Sequence, residues 1–188
     1  MPQTVHRAES EPVRSPQTLT EVDRRAVAGW AADCAERVLP IFEAEVPGDD
    51  RPRRSIMRTR AFARGELDVA EEIRRRFAGN DAARTVGPAA AAAARAAGQA
   101  ASVAHMGAHA LGAAAYAAKA AALASPDNPE AARDEVEWQL RQMSAATRAA
   151  LRQLPPVGTN RSGPLGPGLL SSGLLGEVIT ELQAGLRT

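Results

Sequence analysis

The chain has a single cysteine, Cys34, so it cannot close an internal disulfide. A lone thiol fits a reducing compartment. It has one lysine, Lys119, against 22 arginines, and only two tryptophans, one tyrosine and three phenylalanines in 188 residues. A formal net charge of +1 gives no bulk electrostatic case for nucleic acid or a membrane surface. No stretch approaches the roughly 20 strongly apolar residues of a membrane span, because alanine and glycine contribute little transfer energy. The opening MPQTVHRAESEPVRSPQ has no apolar core and is not a secretory signal. There is no Cys-x-x-Cys pair, and the GPLGPG run lacks the lysine and Ser/Thr of a phosphate-binding loop. These absences point to a cytoplasmic protein with no membrane or nucleic-acid partner and no implied cofactor.

What the chain has in abundance is alanine. The segment 81–124 is dominated by it, and is broken once at Gly87-Pro88. As one straight helix it would span about 65 Å, too long for a domain of this size. A second break near Ala101–Val103 gives an antiparallel helix pair, and the small faces let the two approach closely at the centre of a bundle. Around that pair the helical periodicity predicts further elements. Thr20 and Asp23 cap a helix over 21–39, which Pro40 kinks or ends while Ile41 and Phe42 extend the apolar face. Asp49 or Asp50 caps a helix over 51–63 with Pro52 in its first turn. Others follow over 67–78, 129–143 and 145–154. The expected fold is all-α: a compact bundle of about six to seven helices around the alanine-rich pair. Residues 1–19 read as a disordered leader and 20–154 as the helical domain. A Gly/Pro linker and a short terminal helix fill 155–188, and that helix docks on the body, on a partner or on a second copy.

The polar chemistry of the alanine segment lies on one seam. On a continuous helix His105, His109, Gly112, Tyr116 and Lys119 follow at intervals of four, three, four and three. His105 and His109 have a zinc-chelating spacing, but Met106 stands where a zincin carries glutamate and no third ligand is near, so no metal is assigned. Tyr116 and Lys119 have the chemistry of an acid/base pair, and a hydrogen bond plus a snorkelling stem is the commoner outcome. Trp30 and Cys34 share a face of the first helix, where a buried apolar cysteine is the default. A ligand pocket would draw on Trp30, Cys34, His105, His109, Tyr116 and Lys119; no catalytic residue is assigned. Nine arginines against four acidic residues fill 51–76. They form either a solvated, ion-paired face or anchors for a partner, with Arg53, Arg54 and Arg58 the candidates.

Three runs carry a resemblance. DRRAVAGWAADCAERVLPIFEAEVPGDDRPRRSI (23–56), RAAGQAASVAHMGAHALGAAAYAAKA (95–120) and EVEWQLRQM (135–143) resemble, in order and spacing, the Imm-5-like group of bacterial putative immunity proteins. The similarity spans about residues 20–154. Its signature positions here are Asp23, Arg24, Trp30, Asp33, Cys34, Pro47, Asp50, Arg51, Pro52, Arg53, His105, His109, Tyr116 and Trp138; Gln99 stands where many relatives have histidine. The resemblance implies a non-enzymatic antitoxin that binds and blocks a cognate protein toxin. The alternative is a small-molecule-binding or catalytic bundle with a pocket at the Trp30–Lys119 cluster, serving self-resistance or sequestration. The former predicts a toxin partner; the latter predicts that the six side chains share one cavity.

Overall fold

A computed structural model describes residues 15–75 and 80–187. Among the described residues eight α-helices run in chain order: α1 Glu21–Glu45, α2 Arg51–Ala63, α3 Val69–Arg75, α4 Pro88–Ser102, α5 His109–Ala124, α6 Ala131–Gln142, α7 Ala145–Leu151 and α8 Gly173–Gly185. The described residues contain no strand, and the all-α expectation is met.

Local chemistry explains most boundaries. Thr20 Oγ1 accepts the amide of Asp23 at 3.1 Å and donates to its carboxylate at 2.8 Å, which starts α1. Pro40 does not end α1. The helix continues to Glu45 because Leu39 and Phe42, on either side of the proline, are both buried and pin the last turns to the core. At α2 the capping contact comes from Asp49, whose Oδ1 accepts the Arg51 amide at 3.1 Å; Asp50 occupies the cap position without a side-chain bond. Asp68 caps α3 through the amides of Ala70 and Glu71. Ser144 caps α7 by accepting from the Thr147 amide at 3.1 Å.

Packing centres on α4 and α5, the antiparallel pair expected from the alanines. Ala93, Ala94, Ala96, Ala97 and Ala100 on one, and Ala110, Ala113, Ala114, Ala117 and Ala118 on the other, are all fully buried. α5 is enclosed by α4, α1, α6 and α8, so even its smallest side chains have neighbours on every side. α8 lays Leu175, Val178, Ile179 and Leu182 against the body, mainly on α5 and α6.

Three local expectations need correction. The break between α4 and α5 runs from Val103 to Ala108, so His105 lies in a turn and is not one helical turn below His109. α3 begins at Val69 and not at residue 67, and its expected end at 78 lies outside the described residues. Residues 16–18, read as leader, form a 3-10 turn in which Gln17 is only 1 % exposed; residues 1–14 lie outside the description.

Candidate functional site

Two surface features draw on the expected site residues. The first is a cleft of roughly 430 Å³ at the corner between α4 and α5. Tyr116 and His109 from α5, Gln99 from α4, and His105 and Met106 from the turn form its floor and end wall. The facing wall is the Gly/Pro segment, with Gly163, Pro164, Gly166, Gly168, Leu169 and Leu170. His109 Nδ1 and Gln99 Oε1 are 2.8 Å apart, and because a carbonyl oxygen can only accept, Nδ1 carries the proton. Gly112 makes this pairing possible: a Cβ there would lie 2.4 Å from Gln99 Oε1 and 3.0 Å from Leu170. Tyr116 is 3 % exposed, and burial pushes its hydroxyl pKa up against a smaller opposing effect of Arg95, whose guanidinium lies 6.0 Å from the ring centre.

Of the six residues expected in one pocket, three line this cleft: His105, His109 and Tyr116. Lys119, half-buried further along α5, lies outside it. Trp30 and Cys34 are inside the core instead. Trp30 Nε1 donates to the Gln139 carbonyl at 2.9 Å, and Gln139 Nε2 donates to the Ala114 carbonyl at 3.0 Å, so α1, α6 and α5 are tied through one buried glutamine. The Cys34 thiol is fully buried; desolvation, then the charges of Glu135 and Asp33, push its pKa well up, the reverse of nucleophile activation. The described residues hold no cluster of three or more His, Cys, Asp or Glu placed to bind a metal.

The second feature is the outer face of α1, α2 and α6. Here Arg37 stacks on Trp138 at 4.3 Å and bonds Glu135 through Nε at 2.6 Å. Beside them Arg60 bridges to Asp33 at 2.7 Å and to Glu36, and a groove of roughly 500 Å³ opens between Asp33, Glu36, Arg37, Arg60, Trp138 and Gln142. Seven residues along both helices, Arg53 pairs with Glu43 at 2.6 Å, continuing the same row. Arg54 reaches back to Asp50 at 3.0 Å, and Arg58 turns towards α3 to meet Glu72 and Glu71. The three arginines expected to act together therefore point three ways, each with an acidic partner. Between Arg53 and Arg54 sits Met57, 62 % exposed.

The sequence reading named Gln99 and Gly112 without giving them a role in the site, and gave none to Arg37 or to the wall at 163–170. A glycine at 112 opposite the one polar side chain on that side of α4 was the available signal; the wall left none.

The fold is all-helical among the described residues. The chain matches the family described as Imm-5 like putative immunity protein over residues 17–146 and belongs to it. The matched span runs from Gln17 into α7 and excludes the Gly/Pro wall and α8. Comparison with curated proteins and with solved structures finds no match. No described helix is long and apolar enough to cross a membrane.

Proposed function

We propose that the chain neutralises a cognate protein toxin in the cytoplasm by binding it, without catalysis, through the outer face of α1, α2 and α6. The observation that carries the reading is the groove at Trp138, a half-buried tryptophan stacked under Arg37 and flanked by Arg60. Interface energy concentrates in tryptophan and arginine anchors seated in small depressions. A stable interface needs about 1,600 Å² in total, and the adjoining α2 surface with Arg53 and exposed Met57 extends the patch in that direction. The guanidinium groups are already held by Glu43, Asp33 and Glu36, so little side-chain freedom is lost on docking. The partner surface that fits carries charges of both signs around an apolar or aromatic protrusion. Family membership supports the same direction.

Native mass spectrometry on the protein purified gently from its own host should show a stoichiometric second protein. Co-expression of the chain should then rescue cells producing that protein. A captured partner that is not toxic, or one whose toxicity the chain leaves untouched, would contradict the reading.

A further inference from the structure

We propose that the corner between α4 and α5 is a binding site for an uncharged, largely apolar small molecule with a carbonyl or ring-nitrogen acceptor, which the Tyr116 hydroxyl engages. The inference is independent of the toxin reading and concerns a different face. Its cleft of roughly 430 Å³ is of the size that takes small organic ligands. No Asp, Glu, Lys or Arg lines it, which disfavours a strongly charged ligand. Met106, Pro164, Leu169 and Leu170 supply apolar wall.

The polar requirement comes from Tyr116. It is 3 % exposed and lines the cleft, yet its hydroxyl makes no hydrogen bond to the described residues. The hydroxyl itself opens to the cleft, where a ligand acceptor would give it a shielded hydrogen bond. A phenol is protonated at neutral pH and burial pushes its pKa further up, so it donates. Gln99 and His109 hold each other at 2.8 Å, and the glycine at 112 lets Gln99 and Leu170 press onto α5, so this end of the cleft is set by the fold. The facing wall at 163–170 is clasped by Gln17, whose Oε1 accepts from the Leu165 amide at 2.9 Å.

The test is a titration of the ¹⁵N-labelled full chain with coumarin, an uncharged bicycle with a lactone carbonyl, and with 2-naphthoate as a charged analogue of similar shape. Coumarin should give saturable shifts at Met106, His109, Tyr116, Gly166 and Leu170, and naphthoate should bind more weakly. Tyr116→Phe should weaken coumarin by about ten-fold, the worth of one hydrogen bond. If that variant misfolds, Gly168→Leu serves: a Cβ at Gly168 meets nothing within 4 Å and its φ of 161° is extended backbone, so the side chain can obstruct the cleft and should abolish the shifts. Absent or scattered shifts, unchanged affinity in Tyr116→Phe, or equal binding of naphthoate would overturn the proposal. So would a corner that ignores coumarin but shifts with the captured toxin, since the cleft would then seat a partner's side chain.

Discussion

Gln17 joins three parts of the chain that are far apart in sequence. Its backbone carbonyl accepts from the Ala108 amide at 3.0 Å, its Nε2 donates to the Ser162 carbonyl at 2.7 Å, and its Oε1 accepts from Leu165. Gly163 stands against it with φ +82°, where an added Cβ would lie 2.7 Å from the amide. Gln17→Ala strands the buried Leu165 amide and should cost about 1–3 kcal/mol, read as a lower urea midpoint with unchanged slope. An unchanged midpoint would mean that the clasp adds nothing. Asp49 makes a second residue-scale prediction. Hydrogen bonding from Arg51 holds its carboxyl below the usual aspartate range. A depressed folded pKa contributes stability above the unfolded value of about 3.9 and loses it as pH falls through the folded value. Asp49→Asn keeps the capping oxygen and should therefore cost about 0.5–1 kcal/mol at pH 7, the scale of a partly exposed ion pair, and the two proteins should converge as the solution is acidified below that window. A difference that persists undiminished at low pH would point to packing instead. Cys34, fully buried with its thiol pKa raised, should resist a thiol reagent until the chain unfolds; rapid labelling of the native protein would contradict its place in the core.

At the scale of elements, the alanine pair depends on smallness. Ala93 on α4 is fully buried against neighbours on every side, whereas Ala121 at the end of α5 is half-exposed. Ala93→Leu should destabilise by about 1–3 kcal/mol through overpacking, while Ala121→Leu stays within about 0.5 kcal/mol; equal thermal midpoints would show a loose core. These helices were legible because their signals are local: Thr20 and Asp23 at a cap, Pro52 and Pro88 in first turns, apolar residues at helical spacing. The misreadings have non-local causes. His105 leaves the helix because the turn before α5 is held by the arm at residues 17–18, with Gly107 donating to the Thr18 carbonyl at 3.1 Å and Leu19 packed where a Cβ on Gly107 would be. α1 outlasts Pro40 because burial of Phe42 outweighs one missing amide bond.

In the whole molecule, the candidate surfaces arise where distant segments meet, which explains how little of them could be read from spacing. The seam of α5 identified His109 and Tyr116 correctly as neighbours, but the opposite wall of their cleft comes from residues 163–170. Trp30 ties α1 to α6 and, through Gln139, to α5, and Cys34 is buried in the core. The α2 arginines were visible as a cluster, while their partners on α1, Asp33, Glu36 and Glu43, were not, and Arg37 with Trp138 emerges only once α6 packs beside α1. The central claim is that this outer face binds and blocks a toxin. Its most direct test is calorimetric titration of the captured toxin against the native chain, Trp138→Ala and Arg53→Glu. Arg53 lies on the surface and Trp138 is half-buried, so the thermal midpoint of each variant is measured beside its affinity. Trp138→Ala should weaken binding by about thirty-fold or more, as loss of a hot-spot anchor does, and Arg53→Glu by a smaller factor with shallower salt dependence. Affinity equal to the native chain in both variants would contradict the account.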